Sequence, residues 1–335
     1  MKTPRISIII ITWNSAKKLA KCLQYIENQN YPKTCLEIIV VDGGSNDATF
    51  DVVLDFKKKS PDTVLIKTNI IDPEPKRAIG VLKAKCTYIC HIDPDNYILD
   101  KNWLRNMIDP LERNKSITGS QTLRYTYDKR ESLINRYFAL FGFNDPVVYY
   151  LKKADRISYF ERTWLFNKEY LDKGNYFEIT LKNNIPTMGC NGVVFRRAHY
   201  LKAGIEQSSF FHIDIVQDLV NLGFQKYAIV KNDILHSTGS TFIDSITKRV
   251  GYMNLHYYQK RDKRRYLVYN PHSKYDRKNL IKYIIYTITA IQPIYLSIKG
   301  FIIIQDIAWF LHLPMCVGFL CAYSMASFNK FQFKT

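Results

Sequence analysis

The sequence predicts an α/β domain, a mixed and mostly parallel sheet flanked by helices, followed by a hydrophobic helical segment toward the C-terminal end. Three observations carry this. Strand and helix signals alternate through the first hundred residues. A polar cluster closes each of three apolar strands in that stretch. Two long uncharged runs, Tyr283 to Ile298 and Ile307 to Phe328, lie in the last part of the chain.

The first strand is Ile6 to Ile11, a β-branched run suited to burial on both faces of a parallel sheet. Asn14 or Ser15 then caps a helix whose apolar stripe is Ala16, Leu19, Leu23 and Ile26, with Lys17, Lys18 and Lys21 toward water. Leu36 to Val41 is the second strand, closed by Asp42-Gly43-Gly44-Ser45. Ser45 caps a helix carrying Phe50, Val53 and Leu54, and Val64 to Ile66 is a weaker third strand. A helix through Ala78, Leu82 and Ala84 leads to the strand Thr87 to Ile92, which ends at Asp93-Pro94-Asp95. Open α/β sheets bind ligands at the carboxyl ends of their strands. Thr12 to Ser15, Asp42 to Ser45 and Asp93 to Asn96 therefore mark one candidate site.

The stretch from about Tyr125 to Asn184 is aromatic and less regular, with Tyr137, Phe141, Tyr150, Trp164 and Phe166 among its rings. It either packs as a subdomain or lines an acceptor site. Gly189-Cys190-Asn191-Gly192 reads as a tight turn before a short strand, Val193 to Phe195. A last apolar strand signal, Ala228 to Val230, runs toward His236.

The formal net charge is +18, which points to a polyanionic partner. The densest basic stretch, Lys260 to Arg265, lies shortly before the uncharged runs, so an anionic, cytoplasmic membrane surface is the expected partner. The sequence has no zinc-finger spacing or RNA-binding signature, and no nucleic acid is expected. Its seven cysteines include no CxxC pair, which suits unpaired core thiols in a reducing compartment. The basic start and short apolar run at the N-terminus lack a small-residue cleavage site and read as a buried strand.

Two carboxylates one residue apart, at the end of a buried strand, suit a hard divalent cation such as Mg²⁺ or Mn²⁺ bridging protein to phosphate. The same triplet also serves as an ordinary turn; its position beside two other strand-end clusters favours the metal.

From Ser7 to Asp47 the chain resembles the opening of the family 2 inverting glycosyltransferases, which have the GT-A fold. An apolar strand, Thr12-Trp13-Asn14, an amphipathic helix, the turn Asn28-Gln29-Asn30-Tyr31-Pro32 and a strand ending in Val41-Asp42-Gly43-Gly44-Ser45-Asn46-Asp47 are all present. The likeness continues through Lys76-Arg77-Ala78-Ile79-Gly80 and Ala84-Lys85-Cys86-Thr87-Tyr88, with Cys86 where the family usually has Gly. The resemblance implies a nucleotide-sugar donor, a UDP-sugar foremost. It assigns Thr12, Trp13, Asn14, Asp42 and Gly44 to the nucleotide, Arg77 to the base or diphosphate, Asp93 to the ribose, and Asp95 to the metal. His236 sits where many GT-A enzymes carry a His that helps to hold the metal or diphosphate. On the acceptor side, Phe210-Phe211-His212-Ile213-Asp214 lies where the family places its acidic motif. This implies Asp214 as general base, with Asp218 as the alternative one turn later. The Gln-x-x-Arg-Trp motif of processive synthases is absent, so transfer of one sugar is expected.

The expected organisation is a glycosyltransferase domain over 1–245, comprising a nucleotide-sugar half (1–100) and an acceptor and catalytic half (101–245). A basic linker (246–279) and membrane-associated helices (280–330) follow. The acceptor is a hydroxyl of a glycan or lipid-linked molecule. A polyprenyl-phosphate acceptor, which needs no base, is the alternative. A basic nucleic-acid binder is the non-enzymatic one, but it leaves the strand-end clusters unexplained.

Overall fold

The computed structural model describes residues 3–162, 170–182 and 184–332. Trp164 and Phe166 of the aromatic stretch lie outside the described residues. The chain forms two compact units, Met1–Leu123 with Asn167–Ser237 and Arg124–Phe166 with Thr238–Thr335.

The first unit holds a mixed sheet. Its strands are β1 (Ile6–Thr12), β2 (Leu36–Asp42), β3 (Thr63–Lys67), β4 (Tyr88–His91), β5 (Asn96–Tyr97), β6 (Ile117–Tyr125), β7 (Tyr170–Asp172), β8 (Tyr176–Thr180), β9 (Val193–Arg196) and β10 (Lys226–His236). They lie in the order β3-β2-β1-β4-β9-β6-β10-β8-β7, and β5 pairs with β10. The β3-β2-β1-β4 half is parallel. This follows from the crossover helices α1 (Ala16–Glu27), α2 (Thr49–Lys59) and α3 (Pro73–Lys83), which carry the chain back across the sheet. β9 turns the sheet antiparallel by pairing with β4 and β6. Helix α4 (Trp103–Arg113) precedes β6, and α7 (Arg197–Tyr200) and α8 (His212–Asn221) lie between β9 and β10.

β1 and β2 are buried at every residue, as strands built on the β-branched runs Ile8–Ile11 and Ile38–Val41 inside a parallel sheet are. Helix α1 buries Leu19, Cys22, Leu23 and Ile26. Two local expectations change. Helix α2 starts at Thr49 rather than beside Ser45, because the Ser45 side chain turns back to Asp42 and to the Asn14 amide. Leu54 is exposed, while Val53 carries the buried face of that helix.

The second unit is helical: α5 (Leu133–Phe141), α6 (Pro146–Tyr150), α9 (Phe242–Tyr252), α10 (Lys274–Thr289), α11 (Ile291–Ile303) and α12 (His312–Gln332). Its core takes in Tyr137, Phe141, Tyr150, Phe160 and Trp309. The rings from Tyr137 to Phe160 of the middle stretch thus pack with the C-terminal helices, whereas Tyr170, Tyr176 and Phe177 belong to strands β7 and β8. Ile307–Ser327 is long and apolar enough to cross a membrane, whereas α10 and α11 pass that test only as a pair, bent by 80°.

Candidate functional site

The parallel half of the sheet brings the three predicted clusters to one end. Thr12 closes β1 and Asp42 closes β2, paired in register. The two loops that follow are tied together. The Asn14 amide donates to Ser45 Oγ at 2.8 Å, the Asn46 amide to Asn14 Oδ1 at 2.9 Å, and the Ala16 amide to Asp47 Oδ2 at 3.1 Å. Asn14 adopts φ 45° and Gly44 φ 82°, so the loops turn through left-handed backbone.

Asp42 Oδ2 accepts from the amides of Gly44 (3.1 Å) and Ser45 (2.9 Å). Its carboxylate therefore shapes its own loop first. Beside it Lys76, buried on α3, donates to the Thr12 carbonyl at 3.0 Å. Burial pushes this ammonium down from its usual range, against the pull of Asp42. The Thr12 hydroxyl is buried without a partner, and Trp13 stands out from the loop, 45% exposed. An unpartnered hydroxyl beside an exposed ring, at strand ends, suits a planar ligand with polar edges.

Helix α3 supplies the second group. Arg77 is buried, and its Nη2 donates to both Asp93 oxygens at 2.8 Å. One turn earlier Glu74, 2% exposed, lies 3.9 Å from Arg77 Nε. Glu74 accepts twice from the start of α8, from the His212 amide at 2.9 Å and the His212 ring Nδ1 at 2.8 Å. Burial pushes the Glu74 carboxyl up, but the His212 and Arg77 cations outweigh it and bring it to about 2. Burial pushes His212 down, but the neighbouring Cys190 sulfur and Glu74 carboxylate outweigh it and raise it to about 10. His91, fully buried at the end of β4, is held neutral by burial and by Arg77, down to about 3.

The third group joins distant parts of the chain. β5 pairs with the end of β10, setting Asn96 opposite His236. The Ser237 amide donates to the Asp95 carbonyl at 2.8 Å. Asp95 Oδ1 lies 3.7 Å from His236 Nε2, and the Asn96 side chain donates to the same Oδ1 at 2.9 Å. Among the described residues no cluster of three or more His, Cys, Asp or Glu is placed to hold a metal. A hard cation can take few protein ligands and fill its remaining positions with water and substrate phosphate; Asp95 and His236 would offer it one carboxylate and one imidazole nitrogen.

The structure thus gathers Thr12, Asn14, Asp42 and Gly44 around one loop pair, joins Arg77 to Asp93, and joins Asp95 to His236. Asp214 sits in the first turn of α8 and is fully buried, while Asp218, one turn on, is half-buried. The Gly189–Gly192 turn lies against the start of the same helix. A Cβ on Gly189 (φ 133°) would come within 2.7 Å of the His212 carbonyl oxygen. The group that sequence reasoning missed is Glu74 with His212. Each is unremarkable in its own segment, and only the fold joins them across 138 residues.

The model of glycosyl transferase family 2 matches residues 7–175. A poly(ribitol-phosphate) beta-glucosyltransferase from Bacillus spizizenii is 36% identical over 103 residues, covering 30% of this chain and 16% of that protein. A dolichyl N-acetyl-alpha-D-glucosaminyl phosphate 3-beta-D-2,3-diacetamido-2,3-dideoxy-beta-D-glucuronosyltransferase from Methanococcus voltae is 46% identical over 116 residues, covering 33% of this chain and 35% of that protein. The matched stretches thus span about a third or less of these relatives' own lengths. Among solved structures, a mannosyltransferase from Pyrobaculum calidifontis in complex with GDP-Man and Mn2+ aligns with TM-score 0.54 at 12% identity, covering 98% of this chain and 89% of that one. This likeness concerns the fold.

Proposed function

Because the chain belongs to glycosyl transferase family 2, we propose that it moves a single sugar from a nucleotide-sugar, a UDP-sugar foremost, to a hydroxyl of a glycan or lipid-linked acceptor at a membrane. The observation that carries this is the convergence at one sheet end. The Arg77–Asp93 pair and the Asp95–His236 pair both stand beyond β4, three residues or fewer apart along that loop.

In this reading the nucleotide lies on the two tied loops. Thr12 and Trp13 border the base, the Thr12 hydroxyl supplies a hydrogen bond, and Asn14 and Gly44 line the approach. Asp42 offers its remaining acceptor capacity to the base edge. Asp93, gripped by Arg77, meets the ribose. Asp95 and His236 hold a divalent metal, as supported by the Mn2+ in the mannosyltransferase of similar fold. A cation held there would supply Lewis-acid charge neutralisation at the departing diphosphate, worth several kcal/mol. Inversion requires the acceptor oxygen to arrive from the face opposite the diphosphate, and Asp214 is assigned to take its proton, with Asp218 as the alternative. The basic flank from Lys260 to Arg265 favours the cytoplasmic face.

The full burial of Asp214 favours a second reading, in which the acceptor is a polyprenyl phosphate whose own oxygen needs no base. The Methanococcus voltae relative, named for a dolichyl phosphate-linked acceptor, supports a lipid carrier in either case.

The test is binding and turnover across UDP- and GDP-sugars, with and without Mn²⁺, for wild type and Asp95→Ala. Metal-dependent turnover of one donor, weakened at least tenfold in the variant, is expected. A folded wild type that binds no donor overturns the proposal. Asp214→Asn and Asp218→Asn together separate the acceptors: turnover lost in either indicates a hydroxyl, turnover retained in both a phosphate.

A further inference from the structure

The helical unit contains a surface whose polarity is reversed. Along α10 and α11 the buried positions include Asp276, Asn279, Thr287 and Ser297. The outward positions from Ile281 onward are mostly isoleucines. Ile288 and Ile291 are each 73% exposed and Ile302 75%. On α11 the exposed residues Ile291, Ile294, Tyr295, Ile298 and Ile302 recur at helical spacing and form one stripe. Large apolar residues scattered singly over a surface need no explanation, but a contiguous stripe does.

The charges around the stripe all have one sign. Lys274, Arg277, Lys278 and Lys282 are exposed on α10. The two carboxylates between residues 274 and 311, Asp276 and Asp306, are both buried. Asp276 is paired with Lys153 at 2.7 Å and Asp306 with Arg136 at 2.9 Å. An apolar stripe preceded along the chain by a helix start whose exposed charges are all cationic complements an anionic lipid surface better than the mixed surface of another protein.

The geometry opposes a crossing. α10 has 16 residues and α11 has 13, lengths of about 24 and 20 Å against a hydrocarbon core of about 30 Å. The 80° bend between them, at Ala290 with φ 59°, prevents their adding up to one straight span. Helix α12 is long enough, yet it is fastened inside its unit. His312 is fully buried and within hydrogen-bond distance of the Tyr137 and Tyr150 hydroxyls, and the Tyr323 hydroxyl donates to Asp145.

We infer that the stripe Ile291, Ile294, Tyr295, Ile298 and Ile302, with Ile288 beside it, lies in the plane of an anionic membrane and holds the protein on one leaflet without crossing it. The inference deepens the membrane part of the proposed function and is independent of the donor chemistry.

The test uses the full chain in flotation with phosphatidylcholine vesicles, with and without phosphatidylglycerol, and in extraction with alkaline carbonate. The wild type is expected to float with the anionic vesicles and to be released by carbonate. The variant Ile291→Asp/Ile298→Asp/Ile302→Asp is expected to bind at least tenfold more weakly, with an unchanged melting temperature because these side chains touch water. Lys278→Glu/Lys282→Glu, a second surface variant, is expected to lose the preference for phosphatidylglycerol. Equal flotation of wild type and the isoleucine variant overturns the assignment of this face, and retention after carbonate overturns the one-leaflet mode; in both cases the membrane reading itself stands. A wild type that ignores all vesicles but forms a dimer broken by the isoleucine variant overturns both and assigns the stripe to a second copy. Donor binding measured on the same samples reports separately on the transferase reading.

Discussion

Replacing Glu74 by Gln removes one charge from a group of four, the buried Glu74, Arg77 and His212 with the partly exposed Asp93. In the wild type, two carboxylates face two cations at 2.8–3.9 Å. In Glu74→Gln the amide oxygen can still accept from the His212 amide, but Asp93 is the one carboxylate left in the group and His212 loses its carboxylate partner. Breaking a buried pair by removing one partner costs about 3–5 kcal/mol; with one hydrogen bond kept, the lower end, about 3 kcal/mol, is expected near neutral pH. The pH dependence makes the argument specific. His212 has a folded pKa raised to about 10, so its contribution is full below its unfolded value of about 6.5 and is lost as pH rises toward 10. Glu74 is depressed to about 2; its contribution is present above about 4.3 and is lost only in acid. Between roughly pH 6.5 and 9 the wild type therefore loses about 3 kcal/mol from His212, at about 1.4 kcal/mol per pH unit. The variant, whose His212 has lost the Glu74 carboxylate that favours its charged form, loses less over the same range. Urea titrations of both proteins at the two pH values measure this, and their difference cancels the buried thiols Cys22 and Cys90, common to both. The penalty of the substitution, about 3 kcal/mol at pH 6.5, should therefore shrink as pH rises to 9. A penalty that stays constant, or a variant as stable as wild type at pH 6.5, refutes an ionic Glu74–His212 pair.

Three further outcomes follow from the packing. Arg77→Lys keeps the charge but cannot hold Asp93 with the same fork; a loss of about 1–3 kcal/mol in thermal stability is expected, together with weaker nucleotide binding by calorimetry. Gly43→Ala drives a Cβ to within 2.7 Å of the Ile70 carbonyl oxygen and 2.8 Å of Lys76 Nζ, costing about 1–3 kcal/mol in urea denaturation. Trp309→Ala empties a fully buried site beside Phe141, 4.8 Å away between ring centres; a loss of about 3–5 kcal/mol is expected and should release the C-terminal helices to protease.

The parallel half of the sheet was legible because its signals are local. β1 and β2 are continuous β-branched runs, and each ends in a polar cluster that periodicity alone locates. The Asp95–His236 pairing was legible only through resemblance, since it depends on the ladder between β5 and β10, and β5 is two residues long. The Glu74–His212 contact was not legible at all: a carboxylate in the first turn of a Pro-initiated helix reads as a dipole partner, not as half of a buried pair. The uncharged run from Tyr283 to Ile298 read as one segment. It breaks at Ala290, where the residue-type pattern continues but the backbone enters the left-handed region. The aromatic stretch offered two readings because ring-rich sequences look alike whether they pack or bind. Its burial against Trp309 and Phe319 was decided by helices more than a hundred residues later.

The ladder between β5 and β10 also sets an order of events during synthesis. Asp95 leaves the ribosome long before His236, and at roughly 5–20 residues per second several seconds or more pass before its partner exists. A nascent chain short of β10 can already fold the parallel strands and tie the Asn14 and Ser45 loops, because those contacts are nearer in sequence. It cannot yet present the paired end of β4. The tied Asn14 and Ser45 loops can thus form early, and the Asp95–His236 pair is closed only once the last strand of the sheet has been inserted between β6 and β8.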